Sequence, residues 1–340
     1  MVSPTGDDAN DGRSWQTAKL TVEDAIDSAT AGGEIWVAEG TYEENIELSE
    51  GVSVYGGFAG TEGSRDQRDP ETNETILDGG EAGSVVTSPS GVTTATVIDG
   101  FTITNGSAQY GGGGIRCYMS SPTITQNVIV DNTITLNSAN NGAGVYDEGF
   151  YPVISGNTIT ENTATNYGGG ISCFFDVMPS ITNNIIVDNS AAYGGGIDCR
   201  YDCWAVIANN TIYDNAASTN GGGISIYDSY PTITNNIVVS NSSGIYSDDS
   251  SPSVDYNDVY NNTSYNYSGL SAGANDISSD PSFVNAGQGD YHLQSGSPCI
   301  DTGTNTGAPA TDKDGVSRPQ DGDGSPPAIC DIAAYEIPEP

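Results

Sequence analysis

Basic residues are scarce in this sequence. Eight Lys and Arg stand against 45 Asp and Glu, which gives a formal net charge of −37 at pH 7. Without a basic stripe, the chain is poorly suited to bind nucleic acid or to attach electrostatically to anionic lipids. The charge favours cations as partners and solubility in salt.

Long apolar runs and catalytic side chains are scarce as well. No run of about twenty apolar residues is present, so no segment is expected to span a membrane. The sequence has one histidine, His292, and the regular repeats described below carry only Arg116 and Arg200 as basic residues. These absences favour a non-catalytic protein. They do not exclude a hydrolase, because acidic residues at the same position in successive repeats would be nearly as far apart as the two carboxylates of a retaining glycosidase.

What the sequence does have is 44 glycines and a repeat that runs from about residue 110 to about residue 262. Two successive copies read GGGISCFFDVMPSITNNIIVDN (168–189) and GGGIDCRYDCWAVIANNTIYDN (194–215). Aligned copies share three aliphatic columns, which begin at Ile115, Ile124 and Ile129. Each column lies in a short β-branched stretch bounded by Gly, Pro or Asn, which is typical of strands. A fixed period of this kind indicates a solenoid.

Three short strands per repeat predict an all-β fold, a three-sided parallel β-helix in which equivalent residues stack about 4.8 Å apart. The segment TVEDAIDSAT (21–30) predicts a short N-terminal capping helix, because its apolar residues share one face. A segment rich in Asp, Gly and Pro follows the repeats and predicts a C-terminal cap. We therefore divide the chain into an irregular first part (1–95), regular coils (96–265) and a C-terminal segment (266–340).

One asparagine column recurs at the end of the second strand of each repeat. Asn suits sharp corners, and stacked amides can form a hydrogen-bonded ladder, so we interpret the column as structural. The ladder is predicted to consist of Asn127, Asn157, Asn184, Asn210, Asn236 and Asn257, with Phe101 in place of the first amide.

The repeats resemble the right-handed parallel β-helix of secreted and surface proteins, a fold shared with pectate lyases. The segments SPTGDDANDGRSW (3–15), EIWVAEGTY (34–42) and YGGFAGTE (55–62) resemble the start of a bacterial and archaeal surface family. The segments DPSFVNAGQGDYHLQSGSPCIDTG (280–303) and CDIAAYE (330–336) resemble its C-terminal, choice-of-anchor segment. The resemblance implies a right-handed helix and an extracellular or cell-surface location, and it implies little about activity.

Six cysteines suggest disulfides, which fit an extracytoplasmic compartment. Cys173 and Cys199 occupy the same position in adjacent coils, and a separation of about 4.8 Å lies within the range for a disulfide. Cys299 and Cys330 form the second predicted pair. Cys117 is two coils from Cys173, and Cys203 has no obvious partner. The alternative is that the cysteines are buried thiols.

Stacked acids predict calcium sites, because like charges on adjacent coils repel and a hard cation would relieve the repulsion. The alternative is a surface of solvated carboxylates. One candidate set is a column with one acid per coil: Asp176, Asp202, Asp228 and Asp249. The other lies in TDKDGVSRPQDGDG and consists of Asp312, Asp314, Asp321 and Asp323.

An aromatic ridge lies beside the first acidic column, and it is a candidate surface for a glycan or for a protein partner. Its residues are Phe174, Phe175, Tyr201, Trp204, Tyr227 and Tyr230. Local packing of the rings is the other interpretation. The sequence favours a non-catalytic, calcium-stabilised surface scaffold or adhesin. A polysaccharide-binding or polysaccharide-degrading protein is the alternative, and a self-assembling filament subunit is a third.

Overall fold

The structure is a computed structural model that describes residues 1–108, 111–134 and 145–339. In the first part, the structure places helix α1 (Val22–Ser28) and short 3-10 helices at Trp15–Thr17 and Arg65–Gln67. The strands there are β1 (Glu34–Ala38), β2 (Gly40–Glu43), β3 (Ile46–Glu47), β4 (Ser53–Phe58), β5 (Thr75–Asp78), β6 (Val86–Ser88), β7 (Val97–Asp99) and β8 (Thr102–Thr104).

The regular coils contain the next group of strands. They are β9 (Ile115–Tyr118), β10 (Thr123–Thr125), β11 (Val128–Val130), β12 (Thr133–Ile134), β13 (Val145–Phe150), β14 (Val153–Ser155), β15 (Thr158–Thr160), β16 (Thr163–Ala164), β17 (Ile171–Val177), β18 (Ser180–Thr182), β19 (Ile185–Val187), β20 (Ser190–Tyr193), β21 (Ile197–Arg200), β22 (Val206–Ala208), β23 (Thr211–Tyr213) and β24 (Ala216–Asn220).

The last coils and the C-terminal segment complete the chain. Their strands are β25 (Ile224–Tyr227), β26 (Thr232–Thr234), β27 (Ile237–Val239), β28 (Ile245–Asp248), β29 (Ser253–Asp255), β30 (Asp258–Tyr260), β31 (Tyr267–Ser268), β32 (Phe283–Asn285) and β33 (Asp290–Leu293), with a 3-10 helix at Ala286–Gln288. No helix in the described ranges is long and apolar enough to cross a bilayer.

Within the described residues, three parallel sheets of nine strands run side by side along one axis. Sheet A is ordered β1-β4-β7-β10-β14-β18-β22-β26-β29, sheet B is β2-β5-β8-β11-β15-β19-β23-β27-β30, and sheet C is β3-β6-β9-β13-β17-β21-β25-β28-β31. The chain visits the sheets in turn, and parallel crossovers of this kind are right-handed. The prediction of a right-handed three-sided parallel β-helix is confirmed.

The three aliphatic columns form the core. Ile124, Ile154 and Ile181 are register partners on sheet A, and each is fully buried. The column of Ile129 lies on sheet B and that of Ile115 on sheet C, both equally buried. A short sheet of β12, β16, β20 and β24 follows the corner after sheet B and was not predicted.

The asparagine column between sheets A and B is a continuous hydrogen-bonded ladder. Asn184 donates its backbone N–H and its Nδ2 to Asn210 Oδ1, each at 3.0 Å, and donates to the Ile154 carbonyl at 2.8 Å. At the start, the Phe101 N–H donates to Asn127 Oδ1, as expected of a residue that replaces the first amide. At the other end, Asp276 Oδ1 accepts from Asn257.

A second ladder, which was not predicted, follows sheet B in the same way. Its members are Asn132, Asn162, Asn189, Asn215, Asn241 and Asn262. In both ladders the left-handed corner residue comes one position before the ladder asparagine, as at Asn183 (φ 56°) in the first and Asp188 (φ 55°) in the second. The ladder asparagines themselves are therefore not left-handed, although Asn is suited to such corners. Their role is to satisfy buried carbonyls, and the preceding residue makes the turn.

Helix α1 closes the first coil. Thr21 caps it by accepting from the Asp24 N–H, and Val22, Ala25 and Ile26 are buried. All three residues belong to the same continuous core as the strand columns. The predicted capping helix is thus confirmed, one residue shorter at its start and two at its end.

The C-terminal segment covers more than the end of the solenoid. Asn235, Asn209 and Asn183, on successive coils, donate to backbone carbonyls of Thr304, Asp331 and Thr311. The segment therefore runs back along the corner between sheets A and B. It buries outward-facing residues of sheet B against its own apolar side chains, for example Ile237 and Val239.

Candidate functional site

The acidic column at the turn between sheets C and A has a conformational explanation. Asp176, Asp202, Asp228 and Asp249 all have left-handed backbones, with φ between 46° and 59°. Asp tolerates this conformation better than most residues. The turn therefore accounts for the recurrence of the acid. In the part of the chain that the structure describes, the acids that share a three-ligand group lie elsewhere, and calcium at this column stays a prediction.

The second acidic set is divided by the structure. Asp312 is buried, and its carboxylate accepts from the N–H groups of Asp314, Val316 and Glu336 at 2.8–2.9 Å. It shapes a loop, and both of its carboxylate oxygens accept hydrogen bonds within the protein. Asp314 Oδ2 lies 2.9 Å from His292 Nε2. The four acids predicted together thus do not form one cluster.

Asp321 and Asp323 instead meet Asp301. One carboxylate oxygen from each of the three lies within 4.8 Å of the others. Oδ1 of Asp301 and Oδ1 of Asp321 are buried and make no hydrogen bond. Burial raises the pKa of Asp301. Hard carboxylate oxygens suit Ca²⁺, so this cluster fits the predicted ion better than Asp312 and Asp314 do.

His292 is held between two carboxylates. Its Nδ1 lies 2.6 Å from Asp290 Oδ1, its Nε2 lies 2.9 Å from Asp314 Oδ2, and its ring stacks on Tyr335 at 3.9 Å. Burial lowers the pKa of His292, but the hydrogen bonds to Asp314 and Asp290 outweigh it and the pKa is raised. The residue clamps β33 to the loop at Asp314, which is a structural role.

The cysteines differ from the prediction in two ways. Cys173 and Cys199 are register partners as expected, but Cys203 lies with them, and the three sulfur atoms are within 4.8 Å of one another. Over the described ranges, no disulfide joins these three residues or the predicted pair Cys299 and Cys330. Cys299 Sγ instead donates to Asp258 Oδ2 at 3.3 Å in a buried contact.

The aromatic ridge is present along the turn between sheets C and A. Phe175 and Trp204 are 52% and 49% exposed. Phe175 stacks on Tyr201 with centroids 5.0 Å apart, and Trp204 stacks on Tyr230 at 4.6 Å. Tyr227 meets Tyr201 edge to face at 5.5 Å. Because neighbouring rings cover one another's faces, much of the flat surface that would contact a sugar is occupied. A ligand role for the ridge stays a prediction.

Sequence reasoning missed a lateral groove among the described residues. It has a volume of about 1910 Å³ and lies on the outer face of sheet B. Its floor consists of Thr102, Val128 and Thr158, which are register partners on β8, β11 and β15. The groove is lined by Glu34, Trp36, residues 63–71, Glu74, Thr102, residues 126–128, Thr158, residues 313–315 and Tyr335.

Two segments distant in sequence wall the groove. The loop between β4 and β5 forms one wall and is held by Arg68, which pairs with Asp99 at 2.5 Å. The C-terminal segment forms the other wall and is held by Lys313, whose Nζ donates to the Gly156 carbonyl. Beyond this wall, the C-terminal segment buries Ile185 and Val187 of β19. The groove lies on a part of the sheet face that the C-terminal segment leaves open.

The charges of the groove are mixed. Six acidic and three basic residues line it. Arg65 Nη1 pairs with Glu34 Oε1 at 2.5 Å, and both side chains are about half exposed. Burial lowers the pKa of Lys313 to about 8. Trp36 stacks on Phe58 at 5.1 Å with nearly parallel rings, so the indole plane is fixed. The groove thus combines a fixed aromatic ring with many hydrogen-bonding groups.

One sequence signal did point to this arrangement. Outward positions of sheet B are threonine in TIT (158–160), but they are apolar in IIV (185–187) and IVV (237–239). An apolar outward residue on a surface strand indicates that something covers it. The signal is incomplete, because β11 reads VIV (128–130) and its outward Val128 is 39% exposed on the groove floor.

The fold and the groove define a parallel β-helix protein with a lateral, solvent-open cleft. The family model described as "Protein of unknown function (DUF1565)" matches residues 4–203, and the chain belongs to this family. Among solved structures, "Crystal structure of pectate lyase Pel9A" is similar, with 14% sequence identity and a TM-score of 0.51. The alignment covers 98% of this chain and 95% of that chain. At this identity the likeness concerns the fold alone. The comparison with curated proteins gives no match.

Proposed function

We propose that this protein is an extracytoplasmic, non-catalytic β-helix scaffold that binds a polysaccharide chain in the lateral groove. The observation that carries the proposal is the groove floor, where Thr102, Val128 and Thr158 follow one another on adjacent coils. Two spacings between strands make this floor about 10 Å long. An open, elongated floor between two walls suits a segment of a chain rather than a compact metabolite.

The chemistry of the lining supports a carbohydrate. Trp36 supplies an apolar ring of fixed orientation, while Gln126, Glu71 and Glu74 supply hydrogen-bonding groups for hydroxyls. Acidic residues outnumber basic ones in the groove, and the whole chain is strongly acidic. The electrostatic potential therefore favours a neutral chain over a polyanionic one.

We propose binding without catalysis because the two most buried cationic side chains of the groove, Arg68 and Lys313, already interact with other groups of the protein. Arg68 pairs with Asp99 and also donates to the Gly56 carbonyl. The Lys313 amine is directed at the Gly156 carbonyl. A polysaccharide-degrading activity is the second candidate, and the lowered pKa of Lys313 favours it, since an amine with a pKa near neutrality can act as a base.

The surface location is part of the proposal. It is supported by the acidic charge and by the likeness of residues 280–303 and 330–336 to choice-of-anchor segments. We propose that the C-terminal segment has two roles, walling the groove and leading towards an attachment to the cell surface. The stacked ridge of Phe175, Tyr201, Trp204 and Tyr230 is available for contact with a second protein or another copy of the chain.

Trp36→Ala is expected to weaken binding to a neutral polysaccharide about tenfold or more, because an aromatic anchor of fixed orientation is lost. The measurement is a screen of the wild type on immobilised neutral and uronate glycans, followed by affinities of the variants on the best hit. The matched control is Trp204→Ala, which removes the exposed tryptophan of the ridge and is expected to leave binding unchanged. Melting temperatures show whether each variant is folded.

The reverse outcome, with binding lost in Trp204→Ala and kept in Trp36→Ala, would move the site to the ridge and contradict the proposal. Absence of binding to every glycan would contradict it as well. The same incubations are analysed for new chain ends. Release of fragments by the wild type and its loss in Lys313→Met would replace the binding proposal by the degrading one.

We also propose that Asp301, Asp321 and Asp323 bind a Ca²⁺ ion. After chelation, millimolar Ca²⁺ is expected to raise the melting temperature by about 3 °C or more, because an ion that binds only the folded state stabilises it. Asp321→Asn is expected to reduce this rise, and Asp27→Asn, on the exposed face of α1, is expected to leave it intact. A rise of equal size in both variants would exclude the cluster as the site.

A further inference from the structure

Three thiols converge inside the core of the β-helix. Cys173 on β17 and Cys199 on β21 are register partners, and Cys203 comes from the turn that follows β21. Their sulfur atoms lie within 4.8 Å of one another, and all three residues have 0% exposure. Three sulfurs brought together by two coils form a compact set of soft ligands.

The turn explains why Cys203 joins the pair. Tyr201 and Asp202 both have left-handed backbones, with φ of 58° and 59°, so the chain reverses and directs Cys203 inward. Cys203 occupies the position of Val177 in the preceding coil and of Ser229 in the next. Those neighbours show that the position accepts other small side chains, so three sulfurs are not demanded by packing.

The surroundings limit the coordination number. The cluster lies in the continuous apolar core with Val177, Ala205 and Ile226. In the described residues, the group of potential ligands consists of the three sulfurs alone. Structural zinc is almost always held by four ligands, whereas soft thiolates select Cu(I). A three-sulfur set without a fourth ligand therefore favours a soft ion of low coordination number.

The charge balance of the buried site also favours a monovalent ion. An uncompensated charge in a fully buried site is costly. A monovalent ion becomes neutral with one thiolate and two thiols, so only one thiol must lose its proton in the buried site, whereas a divalent ion needs two thiolates for neutrality.

We propose that Cys173, Cys199 and Cys203 bind one Cu(I) ion through their three sulfur atoms inside the core. The proton of one thiol leaves as the ion binds, and neither sulfur nor copper changes oxidation state. Because the sulfurs have no exposed surface, the ion enters while the coils are still open, during folding. This site is independent of the groove and of the proposed polysaccharide.

The test is a refolding experiment. The protein is unfolded in guanidinium under anaerobic, reducing conditions and refolded with one equivalent of Cu(I) and a chromophoric Cu(I) chelator as competitor. The wild type is expected to retain one copper per chain after desalting, with three sulfur neighbours by X-ray absorption. Cu(I) added to protein that is already folded is expected to enter much more slowly.

Two variants and one control make the result specific. Cys203→Ser and Cys199→Val are expected to lose copper affinity by about 100-fold or more, since a ligand is removed. Both should fold, because the next coil has Ser229 and Ile226 at the same positions. Cys330→Ser removes a buried thiol outside the cluster and is expected to retain copper. Circular dichroism and melting temperature confirm that each variant is folded.

Three outcomes would overturn the proposal. The first is a wild type that yields all its copper to the chelator. The second is equal retention by Cys203→Ser and the wild type. The third is a disulfide between two of the three cysteines, found by peptide mass analysis, that forms in the copper-loaded protein in air with release of the ion.

Discussion

Asn210→Leu is expected to lower the free energy of unfolding by about 4 kcal/mol or more, because several buried groups lose their partners at once. Asn210 Oδ1 accepts both N–H and Nδ2 of Asn184 at 3.0 Å. Its own Nδ2 donates to the carbonyls of Ile181 and Ala208 and to Asn236 Oδ1. Leucine has nearly the same volume but can replace none of these bonds.

Chemical denaturation of the purified variant measures the effect. Asn210→Asp is a second probe, because it keeps the acceptors but replaces the Nδ2 donor by a charge in a fully buried site. The matched control is Asn285→Leu, at an exposed asparagine whose side chain makes no capping hydrogen bond, and a change within about 0.5 kcal/mol is expected. A loss below about 1 kcal/mol for Asn210→Leu would mean that the ladder contributes little to stability.

Arg318→Met is expected to destabilise the C-terminal segment by about 3–5 kcal/mol, because it leaves a buried acid without its cation. Arg318 Nη1 pairs with Glu336 Oε2 at 2.6 Å, and both side chains are at most 1% exposed. Arg318 Nη2 also donates to the Ala333 carbonyl at 2.9 Å. The change therefore removes the charge partner and one carbonyl partner together.

The size of this loss is expected to depend on pH. Burial raises the pKa of Asp331 to about 7, and burial also raises the pKa of Glu336. An acid with a raised folded pKa binds protons more tightly than in the unfolded chain, so it opposes folding as the pH rises from about 4 through about 7. Without Arg318, the carboxyl of Glu336 loses the cation that favours its charged form, so its charge is more costly at high pH and protonation relieves that cost as the pH falls. The loss should be larger at pH 8.

Denaturation at both pH values, with the thiol reactivity of Cys330 as a local probe, measures this prediction. Cys330 is buried beside the ion pair and is expected to react faster in Arg318→Met. Arg13→Met removes an exposed arginine and serves as the control. An equal loss at pH 5 and pH 8 would show that Asp331 and Glu336 do not change their ionisation in this range.

The core of the fold could be predicted because it repeats. Ile124, Ile154 and Ile181 recur in register with Pro, Gly and Asn boundaries, and a repeated local pattern predicts a stack whose members contact only their neighbours. The N-terminal helix at Val22–Ser28 was predicted from its own apolar face. Both features depend on residues close in sequence or separated by one period.

The groove could not be predicted from the repeats. Its two walls contain Arg68 and Lys313, which are far apart in the sequence and lie in two segments that do not repeat. Cys203 was missed for a related reason. The left-handed turn at Tyr201 and Asp202 directs the side chain of Cys203 inward. Aligning the repeats by position does not reveal such a turn. The same conformation accounts for the recurrence of acids at that turn.

The most direct test of the account is hydrogen exchange of the intact protein with and without the polysaccharide found in the glycan screen. Binding in the groove predicts slower exchange at residues 63–71 and 313–315, the two walls, with little change at residues 174–178 and 201–204 on the ridge. Protection confined to the ridge, or no protection at either surface by a glycan that binds, would contradict the assignment of the groove as the binding site.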